Sequence, residues 1–293
     1  MTVTPTQVRF CHQTWQLNAK VQYIDRQPNY CDVVTDITPF HPVSHIWPDH
    51  PADKGTISLG TQAYSVTDCL VGAYHSDSAT FQVGEQISVK RDTPGWAFLV
   101  VHRIEIVDCA IKVGDEVELT VEKPYQQALS RGHSAGHIAY LALNKVLEQS
   151  FWRKDADRKD TLGHRDFNSY AQQTSFVSAD CCIDNYRLGK TLRKRGLNTA
   201  EMLEQLPLIE NELNQQFKSW VESGTAVNMR CEGECLTDSR YWECDLGTEG
   251  KAIIPCGGTH IESLAELGEY QVELKRIDDQ TIEMHTHVNG SSH

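Results

Sequence analysis

Positive charge is what this sequence is short of. It sets 27 Lys and Arg against 40 Asp and Glu, a formal net charge of -13. This counts against a protein whose affinity rests on a broadly basic surface. A nucleic-acid partner is not excluded, because a local cationic patch can hold phosphates while the remaining surface stays acidic. Long apolar runs are also missing. The longest, such as Trp96 to Val101, are strand-sized, whereas a membrane span needs about 20 apolar residues, so no membrane association is expected. The start, MTVTPTQVRF, has no basic stretch followed by an apolar run. No secretory signal is read there, and the cytoplasm is the expected compartment. A disulfide framework is not expected either: ten cysteines are scattered over 293 residues, and an unsecreted chain keeps such thiols reduced.

What is present falls into two textures. From Gln7 to about Glu122 no helix-length apolar period occurs. Thr80 to Val89, Val100 to Val107 and Glu116 to Val121 carry β-branched residues in partial alternation, which predicts strands. Four of the ten prolines, Pro39, Pro42, Pro48 and Pro51, crowd into one segment with His41, His45 and His50 and make it a loop. Near Lys123 the period changes. Between Tyr125 and Phe151, Ala135, Ile138, Ala142 and Val146 fall on one line with Ala139, Leu143 and Leu147 beside it, which predicts an amphipathic helix. Arg153 to Tyr170 reads as a polar excursion, and Asn198 to Trp220 as a second helix capped by Asn198 or Thr199. Gln271 to Arg276 and Thr281 to His287 flank Asp278-Asp279 as a hairpin. The expected class is α+β: a small β-barrel over residues 1–122, then an α+β domain over 123–293 with a mainly antiparallel sheet.

His133 and His137 lie one turn apart on the first helix, so both imidazoles can reach a single ion. Gly132 and Gly136 beside them each cost a helix about 1 kcal/mol relative to Ala, which calls for close approach of another chain or of a ligand. A second pair, Cys256 and His260, stands in KAIIPCGGTH, where a strand ends at Pro255 and Gly257-Gly258 allow a sharp turn. Each spacing alone is weak: roughly 0.6 His-x-x-x-His and roughly 0.4 Cys-x-x-x-His pairs arise by chance at this composition. His41 and His45 share the spacing, but Pro42 lies between them and no helix aligns the rings. Thiolate and imidazole together are zinc ligands, and one zinc per chain is expected.

HSAGH followed far downstream by PCGGTH resembles the editing domain of alanyl-tRNA synthetases and the free-standing AlaX-type editing proteins, with threonyl-tRNA synthetase editing domains as more distant relatives. Val113-Gly114-Asp115, the segment Ile209 to Asn214, ESLAELG at Glu262 to Gly268, and Phe40, Pro42, Asp53 and Gly55 extend the likeness over about Val33 to Val288. The resemblance implies a zinc-dependent aminoacyl-tRNA deacylase with His133, His137, Cys256 and His260 as ligands. The substrate it implies is tRNA(Ala) wrongly carrying serine or glycine, held by its acceptor stem. No adenylation domain is seen, so the chain is expected to act in trans. One departure stands out: where the family has a glycine-rich barrel loop, this chain reads Val43 to Asp49 with His45 and Trp47.

The expected chemistry is attack on the ester by a zinc-bound water. Four protein ligands close a tetrahedron, so one must be labile for catalysis, and His260, on a glycine-rich turn, is the candidate. Gly257, Gly258, Thr259, His45, Trp47 and Asp49 are the expected substrate contacts. Lys190, Arg193, Lys194 and Arg195, the densest cationic cluster, are the expected tRNA contacts. Two alternatives stand: a structural zinc in a tRNA-binding module without activity, and a zinc hydrolase of another small ester. Cys231, Cys235 and Cys244 could form a further metal site, but the missing fourth ligand counts against it, and His285 and His287 read as a solvated strand edge.

Overall fold

A computed structural model of the chain describes residues 3–105 and 109–290. Two compact units emerge. One comprises Met1–Gln127, Cys231–Arg240 and Gly257–Thr259, and the other Ala128–Arg230, Tyr241–Cys256 and His260–His293.

The strands of the first unit are β1 (Gln7–Val8), β2 (Gln16–Arg26), β3 (Cys31–Thr35), β4 (Ile37–Thr38), β5 (Gly55–Leu59), β6 (Gln62–Val66), β7 (Asp68–His75), β8 (Thr80–Val83), β9 (Trp96–Ile104) and β10 (Glu116–Val121). β1 and β4 form a short parallel pair. The others form an eight-stranded antiparallel sheet in the order β6-β5-β10-β2-β3-β9-β7-β8. Alternation along β10 buries Val117, Leu119 and Val121 against Val21, Val33, Ile57 and Val100. Among the described residues no ladder joins β6 to β8, so the sheet is not closed into the expected barrel. Closure requires pairing of the first and last strands, and alternation along each strand is the same whether or not it occurs. The expected strand Thr80 to Val89 stops at Val83, because Gly84 takes φ 57 and starts a 3-10 turn. In the strand read as Val100 to Val107, Ile106 and Val107 lie outside the described residues. Pro39 to Lys54 is a loop between β4 and β5.

Within this loop Asp53 is buried, accepting hydrogen bonds from the His41 backbone N–H (2.7 Å) and from the Gln126 side chain (2.5 Å). Burial pushes its carboxyl up to about 7. In the unfolded chain the group ionises at about pH 4. The raised folded pKa therefore makes its contribution to stability full below about pH 4 and lost as pH rises through about 7. Replacing Asp53→Asn should remove this dependence. The stability of the parent relative to the variant, from urea titrations, should fall between about pH 4 and 7 and level off above. A difference that stays constant across the window would contradict the shifted carboxyl.

α1 (Lys123–Ser150), which belongs to the second unit from Ala128 on, buries Ala135, Ile138, Ala139, Ala142, Leu143, Val146 and Leu147, the apolar lines read from the sequence. α2 (Phe167–Ala171) closes the polar excursion and leads to β11 (Gln172–Ser178) and β12 (Cys181–Arg187). α3 (Lys190–Arg195), α4 (Thr199–Glu204) and α5 (Leu206–Val221) follow. The single helix expected from Asn198 is thus two, broken at Gln205. Pro207 sits in the first turn of α5, where its missing N–H costs nothing, whereas a continuous helix would need that donor. β13 (Val227–Cys231), β14 (Arg240–Asp245) and β15 (Lys251–Pro255) form one sheet, of which all but Cys231 and Arg240 belongs to this unit. β16 (Glu269–Arg276) and β17 (Thr281–Asn289) form the expected hairpin and join the larger sheet, β11-β12-β17-β16. β17, which carries His285 and His287, is therefore a central strand and not a solvated edge. α5 packs along β16 and satisfies its outward backbone: the Asn214 amide bridges both polar groups of Val272 (2.7 and 3.0 Å), and Glu210 accepts from Leu274 N–H (2.7 Å).

The glycines of α1 meet the β11–β12 turn. A Cβ on Gly132 would lie 2.6 Å from the carbonyl oxygens of Ser178 and Cys181, and one on Gly136 would lie 2.7 Å from Cys182 Sγ. Of the two reasons expected, close approach of the chain is the one present: backbone at Gly132 and the Cys182 side chain at Gly136. Among the described residues no helix is long and apolar enough to cross a membrane.

Candidate metal centre

The four residues singled out as zinc ligands all belong to the second unit and converge. His133 and His137 project from successive turns of α1, ring centroids 4.8 Å apart. Cys256 follows the end of β15, and His260 comes four residues later. Cys256 Sγ lies 3.4 Å from His133 Nε2 and 3.2 Å from His260 Nε2. The His260 ring lies 4.2 Å from that of His133 and stacks at 5.0 Å on that of His137. One donor atom from each of the four residues lies within 4.8 Å of every other.

This set fits a zinc ion. Bonds of about 2.0–2.1 Å to nitrogen and about 2.3 Å to sulfur, at tetrahedral angles, place donors about 3.3–3.6 Å apart. Both sulfur–nitrogen separations are close to that range. His137 Nε2 is buried with no hydrogen-bond partner among the described residues, which is costly for a polar atom unless something else engages it. Burial also pushes the His137 imidazole down to about 4, keeping it in the neutral form that a metal requires. Trp242 and Tyr140 flank the His137 ring at 5.4 and 6.0 Å, and burial holds the Tyr140 phenol well above its ordinary pKa.

No protein-family model matches the chain. Over 205 residues, 70% of its length, it is 26% identical to the alanyl-tRNA editing protein AlaX-M of Pyrococcus horikoshii and covers 74% of that protein. The chain resembles the AlaX-type alanyl-tRNA editing proteins. It is also 24% identical over 277 residues to the alanine–tRNA ligase of Akkermansia muciniphila, 87% of this chain and 23% of the ligase. Against the alanine–tRNA ligase of Saccharolobus islandicus it is 26% identical over 192 residues, 64% of this chain and 19% of the ligase. The chain thus spans most of an AlaX-type protein and under a quarter of either ligase.

One residue at this centre escaped the sequence reading. Ser134 is fully buried, with its hydroxyl 3.0 Å from His260 Nδ1 and accepting from the Ile261 N–H at 3.3 Å. It sits between the two histidines in the HSAGH stretch of AlaX-type resemblance, but a lone serine inside a helix has no spacing signal of its own. Its bond to Nδ1 orients the ring so that Nε2 faces Cys256. His260 is the most buried of the four, at 3% exposure. Ser134→Ala should weaken zinc affinity roughly 10–100-fold, the usual effect of losing a hydrogen bond that orients a histidine ligand. Chelator competition measures this, and an unchanged affinity would show that the ring needs no such support.

The other expected site residues fall elsewhere. His41 and His45 do not join a ligand set among the described residues. His41 is buried, its ring 4.3 Å from His50 and edge-on to Phe10, and burial holds it well below its ordinary pKa. His45 lies 6.1 Å from the Phe98 ring. Trp47 is exposed, and Ser44 Oγ accepts from the backbone N–H groups of Ile46 and Trp47, tightening the loop. Burial raises the Asp49 carboxyl. Gly257 is exposed while Gly258 and Thr259 are buried, and Thr259 Oγ1 stands 3.3 Å from His50 Nε2. In the cationic cluster, Lys190, Arg193 and Lys194 are exposed on α3. Arg195 is engaged by Asp157 and stands 5.8 Å over the Tyr170 ring. Cys244, expected with Cys231 and Cys235, is buried in the core of the second unit.

Proposed function

We propose that this chain is an aminoacyl-tRNA deacylase acting in trans on tRNA(Ala) that carries the wrong amino acid, serine or glycine. The convergence of His133, His137, Cys256 and His260 into one three-nitrogen, one-sulfur set carries this reading, and the likeness to AlaX-M supports it. These residues would hold one zinc ion. When bound, zinc supplies Lewis acidity, which polarises an ester carbonyl and makes hydroxide accessible near neutral pH. The chain's own contribution is positional. Three imidazoles and one sulfur would present lone pairs to a common point, Ser134 fixes the His260 ring, and Trp242 and Tyr140 flank the His137 side of the centre. The cytoplasm, where a trans-acting editing protein would meet charged tRNA, is the proposed compartment.

A structural role for the metal is the second reading, favoured by the secure hold on His260 in a four-donor set. Deacylation assays separate the two. Ser-, Gly- and Ala-tRNA(Ala) should be incubated with the protein before and after chelation. Release of serine or glycine, sparing of alanine, and loss of release on chelation are expected. Intact esters in every arm would assign the metal to structure alone. His45, Trp47, Asp49, Gly257, Gly258 and Thr259 are proposed to influence amino-acid choice, which the ratio of kcat/KM for seryl and glycyl esters reads.

For tRNA, the proposed contacts are Lys190, Arg193, Lys194 and Arg195. The first three are exposed cations on a short helix, while Arg195 already has an anionic partner. Replacing Lys190, Arg193 and Lys194 by Ala should raise KM and lower the slope of log affinity against log salt by about one per lost phosphate contact. Arg195→Ala should change the slope less. A slope untouched by the triple variant would leave these residues as ordinary solvated charges.

A further inference from the structure

We propose that Cys11, His12 and Cys231 form a second metal site, for zinc or a similar thiophilic divalent ion, distinct from the four-residue centre and contained in the first unit. Their donor atoms all lie within 4.8 Å of one another, and the two sulfurs are 3.6 Å apart. A tetrahedral ion with bonds of about 2.3 Å to sulfur sets two thiolates about 3.8 Å apart. Two thiolates balance the charge of a divalent ion, and one imidazole completes a soft set of the kind zinc accepts. His12 is exposed and both cysteines are partly so.

The surroundings hold the donors in place from two sides. Cys11 and His12 lie on the 3-10 turn Phe10–His12, anchored by the buried Phe10 and ended by Gln13 in the left-handed region, φ 52. The strand residues before this turn are bound to the segment after Cys231: Val8 N–H donates to the Glu234 carbonyl (2.8 Å), and Arg9 pairs with Glu234 (3.3 Å). Behind Cys231 the chain folds into a tight excursion. Glu232 N–H donates to the Ser239 carbonyl (2.9 Å), and Cys235 N–H to the Asp238 carboxylate (2.8 Å). Gly233 admits Asp238 so closely that a Cβ would lie 2.0 Å from a carboxylate oxygen. Arg240 donates to the carbonyls of Cys235 and Leu236 and covers the Phe10 ring at 5.3 Å. Cys235, which spacing alone would pair with Cys231, is not in the donor cluster. A metal here would tie together positions 220 residues apart in sequence.

The test uses the full chain with the four-residue centre disabled by Cys256→Ala and His133→Ala. After reduction it is equilibrated with Co2+ and then with Zn2+. One equivalent of cobalt, with a thiolate-to-cobalt charge-transfer band that zinc removes, is expected. Adding Cys11→Ser and Cys231→Ser should abolish both binding and band, whereas His12→Ala should keep the band and weaken binding. If the disabled chain does not fold, the unaltered chain gives the same answer. Its bound zinc should drop by one equivalent in the Cys11→Ser, Cys231→Ser variant, with the four-residue centre still filled. Absence of cobalt from the reduced, folded chain overturns the proposal. So does cobalt that persists without Cys11 and Cys231, or zinc content that Cys11→Ser and Cys231→Ser leave unchanged.

Discussion

Replacing Cys256 and His133 together by alanine should lower the zinc content by one equivalent per chain and reduce deacylation of Ser-tRNA(Ala) by at least about 1000-fold. The metal loss follows from geometry. The two residues supply the sulfur and one of the nitrogens that meet at 3.4 Å, and two remaining imidazoles hold zinc far less firmly than four donors. The rate loss follows because carbonyl polarisation is worth several kcal/mol, and each 1.4 kcal/mol is tenfold in rate. Metal analysis and a deacylation assay on one preparation read both quantities, and circular dichroism shows whether α1 and the sheets persist. Loss of zinc with full activity would place the chemistry elsewhere. Retained zinc would mean that these four residues are not its ligands.

Gly132→Ala should destabilise the protein by about 2–3 kcal/mol, against helix propensity, which favours alanine by about 1 kcal/mol. The added methyl group would meet two carbonyl oxygens at 2.6 Å and a backbone nitrogen at 2.8 Å at the β11–β12 turn. Backbone cannot swing aside as a side chain can, so either α1 or the turn must shift. Because His133 is the next residue, a shift of α1 should also weaken metal binding. Gly136→Ala meets only the Cys182 side chain and should cost less. Gly189→Ala, with nothing within 4 Å of its Cβ and an ordinary negative φ, should stay within about 0.5 kcal/mol of the parent. Calorimetry of the three variants ranks them. Equal melting temperatures for Gly132→Ala and Gly189→Ala would show that α1 does not need the glycine.

Much of the candidate centre was legible because its parts advertise themselves locally. The helical period of Ala135 to Leu147 aligned the two histidines, and Pro255 followed by Gly257-Gly258 marked a strand end with a turn between Cys256 and His260. What could not be read lies in contacts between distant segments. The hydroxyl of Ser134 acquires meaning only when His260, 126 residues later, meets it. Cys11 and His12 have no spacing relation to Cys231. Pro207 reads equally well as a tolerated first-turn residue or as a break, and the boundary between α4 and α5 depends on which applies. The pairing order of strands is likewise invisible to alternation: β17 looks like an edge from its own residues and is central because β12 and β16 flank it. Whether the eight-stranded sheet closes is the same kind of question, and alternation was silent on it.

The hold of α5 on β16 bears on how this protein meets others. An edge strand with open N–H and C=O groups is a template for an incoming strand. At Val272 and Leu274 that template is already occupied by the side chains of Asn214 and Glu210. The sheet has its other edge at β11, where Phe176 is 52% exposed. Strand addition on this sheet should therefore favour Gln172–Ser178 over the middle of β16, and a charged residue in place of Phe176 would be the place to block it.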